Sequence, residues 1–166
     1  LYPPNRFPAE ILTDHPDRLR AVFIDSSNPA NSGSDTADFE AALEALELLV
    51  VVDVAMTETA RLADYVLPAS SQYEKWEFTL FQFEFPTNHF HLRAPVLQPL
   101  PGTKTEPQLY AEMAAALGLL PEQSVLDDLA GLAAKDKGAY MGALGGLFKQ
   151  DPAYGALTPV LMSLTL

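Results

Sequence analysis

Residues 48–52 read Leu-Leu-Val-Val-Val and are followed at once by Asp53. A run without polar alternation, rich in β-branched side chains, suits a strand covered on both faces, as in the interior of a parallel sheet. Parallel neighbours need crossover connections, so the run calls for helical pattern on its flanks. Upstream, LRAVFID at 19–25 is a short apolar run closed by the turn-forming cluster SSNPANSGS. From residue 35, Phe39, Leu43, Leu46 and Val50 then recur at helical spacing, with Glu40, Glu44 and Glu47 on another face. Those glutamates read as a solvated face rather than as metal ligands. Downstream, MTETARLAD is a loop running into a short helix, and YVLPA is a third brief strand ended by Pro68. Strand, helix, strand is a βαβ unit, and the first half of the chain is an α/β repeat.

The remainder is organised differently. Residues 1–18, with prolines at 3, 4, 8 and 16, form an N-terminal arm of extended backbone with a short helical turn near Pro8 to Leu12. Between Ser70 and Gly102, aromatic and apolar residues alternate with polar ones in FQFEF and HFHLR, the pattern of extended chain or a hairpin. WEFTLFQFEF reads as core or as an interface with a neighbouring domain. A helix starts at Thr105, where Thr105 and Gln108 fit a capping box and Pro107 falls in the first turn; Gly118 stops it, and Leu109, Met113, Ala116 and Leu117 form its expected buried stripe. Residues 121–135 suit another helix. Residues 138–166, rich in Gly and Ala, carry too little periodicity for an assignment.

Charge and composition narrow the function classes. A formal net charge of −12 without a basic patch disfavours nucleic acid and anionic lipid as partners, and a bound anion would be held by backbone N–H groups and hydroxyls. No cysteine is present, which removes thiolate catalysis and Cys-ligated zinc or iron–sulfur clusters from this chain. No apolar run reaches the roughly 20 residues of a membrane span, and the first residues lack the basic-then-apolar order of a signal peptide, so the expectation is no membrane insertion and a cytoplasmic location. A chain opening on Leu1 rather than Met suggests a piece of something larger. His89 and His91 lack an evident third metal ligand, and nothing distinguishes Glu74 and Glu77 from a surface pair.

Chemistry is expected where strands give way to loops, outside the carboxyl ends of the sheet at a switch in crossover direction. Ser26, Ser27, Asn28, Ser32 and Ser34 follow the first strand; Asp53, Thr57 and Thr59 follow the second. This uncharged polar set with one carboxylate suits a purine nucleotide. A carboxylate accepting two parallel hydrogen bonds matches the N1–H and exocyclic amine of guanine, which adenine does not present. The phosphates would lie toward the serine loop and the start of the following helix. Spacing leaves a second reading open, in which Asp53 caps the next turn, Asn28 holds an Asn-Pro turn and the threonines start a helix.

SSNPANS, VVVDVAMTETARLADYVLPASSQYEK and LPGTKTEPQLYAEMAAALG, in that order, resemble the third domain of molybdopterin-dependent oxidoreductases of the dimethyl sulfoxide reductase family. The resemblance covers residues 19–118. It implies an α/β, Rossmann-like three-layer domain with a mainly parallel sheet, spanning residues 19–137, with 138–166 as an unassigned C-terminal segment. It also implies that the domain holds the guanosine end of a molybdopterin guanine dinucleotide carrying molybdenum (or tungsten). Asp53 then matches the guanine-binding acid, Asn28 the Asn-Pro turn beside the nucleotide and Thr57 the adjacent loop threonine, with Ser27 and Thr59 as further cofactor-binding positions; Asp64 reads as a structural acid. No catalytic or metal-ligating residue is implied here, since the iron–sulfur and molybdenum-ligand domains of the parent enzyme would be the partners. Two departures stand out: Ser26 and Ser27 replace the commoner glycine before Asn28, and EKWEFT stands where the family often has Glu-Lys-Glu-Gly-Thr. The alternative to cofactor binding is a noncatalytic α/β scaffold without nucleotide.

Overall fold

The apolar run becomes β2 (Leu48–Asp53), the middle of three parallel strands, between β1 (Ala21–Asp25) and β3 (Tyr65–Pro68). Leu49 to Val52 are all buried, whereas β1 and β3 mix more exposed positions with less exposed ones, so the unbroken apolar stretch belongs to the one strand flanked on both sides. In a computed structural model that describes residues 3–79 and 87–166, the chain divides into two compact units, Leu1–Lys104 and Thr105–Leu166.

In the first unit, the connections are a 3₁₀ turn (Pro4–Arg6) and α1 (Phe7–Leu12) before β1, α2 (Pro29–Ser32) and α3 (Thr36–Glu44) between β1 and β2, and α4 (Glu58–Leu62) between β2 and β3. Ile24, Leu49 and Val51 project from one face of the sheet into a core with Ala30, Leu43 and Ala60, and Phe7 stacks on Phe39. Alternation along the strands puts Phe23, Leu48 and Tyr65 on the opposite face, where each is substantially exposed. Because the strand order is β1-β2-β3, right-handed crossovers carry both connections to one face, and the expected reversal of crossover direction does not occur among the described strands.

The helix expected over 35–49 stops at Glu44. Glu47 N–H already donates to Arg20 C=O (2.8 Å), which draws the chain into register with β1 before the helical spacing of Leu46 and Val50 can be used. Arg18 and Arg20 both reach the Glu47 carboxylate. Asp64 is structural: its N–H donates to Leu49 C=O (2.9 Å), and its carboxylate accepts from Leu49 N–H (2.7 Å), tying the start of β3 to β2. Gly33 is required by close approach, since a Cβ there would meet the Phe39 ring and the Pro29 carbonyl oxygen at 2.7 Å.

Further along, β4 (Glu77–Phe78) pairs antiparallel with β5 (Leu92–Arg93). Trp76 and Phe78 are exposed, so they are not core of this unit; the FQFEF alternation lies outside the described residues. The acid–base reading of Glu74 and Glu77 finds no support in the geometry. Buried Glu74 accepts from Ser71 N–H (2.7 Å) and Leu100 N–H (2.9 Å), while Glu77 pairs with Arg93, whose guanidinium also lies over the Tyr73 ring. Hydrogen bonds from Ser71 above all, and from Leu100 N–H, hold the Glu74 carboxyl below the usual glutamate range.

The second unit is helical: α5 (Glu106–Ala116), α6 (Gln123–Lys135), α7 (Lys137–Gln150), α8 (Ala153–Ala156) and α9 (Thr158–Thr165). It takes in both 105–137 and the Gly/Ala-rich 138–166. Both halves of the Thr105–Gln108 capping box form. The buried stripe of α5 differs from expectation: Leu109, Ala111 and Ala114 are buried, whereas Ala116 and Leu117 are exposed. The reason is α9, whose Val160 packs on Ala111 and Ala114, where small side chains allow close approach. Asp136 alone separates α6 from α7 and caps the latter through Gly138 and Ala139 N–H. Leu126, Leu129, Tyr140, Leu144 and Leu161 form the main core. Thr165 Oγ1 donates to Leu161 C=O (2.7 Å), so the Tyr140 hydroxyl is the donor in its 2.9 Å bond to Thr165. Among the described residues no helix is long and apolar enough to cross a membrane.

Candidate functional site

Parallel register brings three chain segments level at the carboxyl edge of the sheet. Asp25 lies opposite Val52 and Asp53 opposite Pro68, so the turns starting at Ser26, Asp53 and Ala69 stand side by side. The ladder runs one step further on each side: Ser26 N–H donates to Val52 C=O (2.9 Å), and Ala69 N–H donates to Asp53 C=O (3.0 Å). Asp53 therefore follows the valines because the buried strand ends there, and its side chain is half-buried rather than enclosed. Its Oδ1 accepts from Ala55 N–H (3.2 Å), a local turn that orients the carboxylate and leaves lone pairs on both oxygens.

Asn28 and Thr59, from the turns after β1 and β2, meet directly. Asn28 Oδ1 accepts from Thr59 N–H (3.1 Å) and from Thr59 Oγ1 (2.8 Å). Thr59 Oγ1 in turn accepts from Ala30 N–H (3.1 Å), and the side chain is fully buried. With both roles of the hydroxyl committed, Thr59 serves the edge by holding Asn28. Thr57 Oγ1 accepts from Ala60 N–H (3.2 Å) and caps α4. Ser27 is exposed and lines a groove of about 410 Å³ along the outer side of β1, with Phe7, Phe39 and Gly33.

Sequence reasoning missed Glu58. Its Oε2 accepts from Asn28 Nδ2 at 2.6 Å, and that bond, ahead of its own backbone N–H and the Arg61 charge, holds its carboxyl below the usual glutamate range. The available signal was its place one residue after a capping threonine, where an acid favours the helix start. The third turn was missed as well. Buried Ser70 donates its N–H to Lys104 C=O (2.8 Å), Lys104 N–H donates to Pro68 C=O (3.1 Å), and Ala69 and Lys104 form a parallel bridge.

Electrostatics alter the expectation for phosphate. Asp35 caps α3 through Asp38 N–H (3.2 Å) with Asp38 in the first turn, and Glu58 stands at the first turn of α4. The starts of α3 and α4 therefore already carry carboxylates, which repel a phosphate there, whereas α2, directly after β1, has no acid in its first turn. Among the described residues no group of three or more His, Cys, Asp or Glu side chains is arranged to hold a metal ion.

The chain is 41% identical over 66 residues to the F420-dependent formate dehydrogenase subunit alpha of Methanocaldococcus jannaschii, covering 40% of this chain and 10% of that protein. It is 36% identical over 101 residues to the assimilatory nitrate reductase catalytic subunit of Bacillus subtilis, covering 60% of this chain and 14% of that protein. Among solved structures it superposes on acetylene hydratase from Pelobacter acetylenicus with a TM-score of 0.62 at 28% identity, over 70% of this chain and 16% of that one. The chain thus spans a small part of the proteins it matches. A family model described as molybdopterin oxidoreductase matches residues 1–115, well over half of the sequence, and the chain belongs to that family.

Proposed function

We propose that this chain is the part of a molybdopterin oxidoreductase that holds the guanosine end of a molybdopterin guanine dinucleotide, with the Asp53 carboxylate accepting from the N1–H and exocyclic amine of guanine. The observation that carries this reading is the placement of Asp53: half-buried at the end of the central strand, oriented by Ala55 N–H, beside the Ser26–Asn28 turn. Family membership implies a molybdopterin cofactor with its metal. The donor set here suits the nucleoside rather than the metal, because among the described residues it offers carboxylate, amide and hydroxyl groups without a cluster of metal ligands. Since acids occupy the starts of α3 and α4, the diphosphate is assigned away from those two helix starts, and other domains of the parent enzyme would hold the molybdenum or tungsten and any iron–sulfur clusters. Bound there, the cofactor supplies the redox chemistry, while Asp53 orients its far end and Ser27 lines the approach along β1.

The test is thermal melting and calorimetric titration of the chain with GDP and with ADP. GDP is expected to raise the melting temperature and ADP to leave it unchanged. Asp53→Asn is expected to weaken GDP binding by roughly 10- to 100-fold, about 1.5–3 kcal/mol for charge-assisted bonds, with folding intact. An absence of GDP binding at millimolar concentration, or equal binding of ADP, would overturn the reading and favour a scaffold without nucleotide.

A further inference from the structure

We propose that Glu58 is a positioning residue of this edge, acting through Asn28: its carboxylate fixes the Asn28 amide, and the amide locks the turn after β1 onto the loop after β2. The inference rests on the nucleotide reading above for what the edge receives, but its geometry stands independently.

The bonding pattern leaves the amide one orientation. Thr59 presents two donors to one end of the Asn28 side chain, its N–H at 3.1 Å and its hydroxyl at 2.8 Å, so that end must be the oxygen. The amide nitrogen then points at Glu58 Oε2, 2.6 Å away, where an ionised carboxylate makes the stronger, charge-assisted bond. Thr59 passes the constraint on by accepting from Ala30 N–H (3.1 Å), inside α2. Four residues from two loops about thirty positions apart are thus joined, and the chain between Asp25 and Ala30 is anchored at both ends: by Ser26 N–H on Val52 C=O and by the Asn28–Thr59–Ala30 bonds. Ser27 lies within that anchored stretch, next to the end of the strand that carries Asp53. Glu58 itself is exposed and needs no contact with the nucleotide to act.

An exchange of atoms tests this. Asn28→Asp keeps the oxygen facing Thr59 but sets a second carboxylate against Glu58, and like charges at that distance push the turns apart. The double variant Asn28→Asp with Glu58→Gln restores a donor and acceptor in the same places with polarity reversed: the amide introduced at position 58 donates to the carboxylate introduced at position 28, which still accepts from Thr59. Two measurements are made on each protein, GDP titration and hydrogen exchange of the Thr59 and Ala30 amides by NMR. The single variant is expected to bind GDP at least tenfold more weakly and to exchange both amides at least tenfold faster. The double variant is expected to return both to within threefold of wild type. A single variant that behaves as wild type, or a double variant no better than the single while retaining its melting temperature, would overturn the proposal. So would rescue of amide protection without rescue of GDP affinity, since the bonds would then be structural only. If wild type binds no GDP, the nucleotide reading fails by itself; rapid exchange of the Thr59 and Ala30 amides in wild type would instead remove the latch.

Discussion

The carboxyl edge of the sheet and the helices of residues 105–166 use polar side chains in opposite ways. At the edge, Asn28 reaches Glu58 and Thr59 across about thirty residues, and the bonds themselves define how the turns lie. In the helical unit, apart from the Tyr140–Thr165 bond inside the core, the caps Thr105 with Gln108, Asp136 with Gly138 and Asp151 with Ala153 act within three positions, while shape comes from Leu126, Leu129, Leu144 and Leu161. Cores built from apolar volume fail when volume is removed, whereas a polar lattice fails when one donor is turned into an acceptor. The edge is therefore sensitive to changes that leave its shape intact.

The largest test of this contrast lies in the helices. Leu161→Ala, at a fully buried position, should cost about 2–5 kcal/mol by chemical denaturation of the chain, the usual range for a core leucine left as a cavity. Next comes Thr59→Val, close in shape but without the hydroxyl. It strands Ala30 N–H and removes one donor to Asn28, and should cost about 1–3 kcal/mol while weakening GDP binding. Tyr140→Phe should cost about 0.5–1.5 kcal/mol, because Thr165 keeps its bond to Leu161 C=O and nothing buried is left unpaired beyond one acceptor. If Tyr140→Phe matched Thr59→Val in unfolding measurements, the distinction between the two regions would fall. The smallest effect concerns Glu74. Its folded carboxyl titrates below the unfolded one, so its contribution is complete above the ordinary glutamate value and is lost as pH falls through the lowered folded value. Melting temperatures followed downward from about pH 6 should decline less steeply in Glu74→Gln than in wild type.

The same contrast explains what could be read from the residues alone. The interior strand was legible because Leu49 to Val52 need cover on both faces, and the start of α5 because Thr105 and Gln108 must answer each other's backbone groups. The end of α3 was not, because Leu46 and Val50 satisfy helical spacing while the pairing of Glu47 with Arg20 is a tertiary fact. Helix α7 was hidden by Gly142, Gly145 and Gly146, which weaken helical propensity without preventing a helix capped by Asp136. The buried stripe of α5 depended on which side α9 would approach, information that α5 does not contain. At the candidate site, Asp53 and Asn28 were visible from type and position, but Glu58 was not: nothing in the order of letters says that its carboxylate reaches a side chain about thirty residues earlier. The burial of Thr59 was hidden for the same reason.

Ser26 has φ of 54°, in the left-handed region where glycine is at ease and a serine costs roughly 1–2 kcal/mol. Its hydroxyl donates to the Asp25 carboxylate at 2.9 Å, and its N–H extends the ladder to Val52. The position thus has the geometry of a glycine site occupied by something else. Glycine at position 26 would relieve the backbone without moving it, and the departure from the commoner glycine would be a change of letter on an unchanged path.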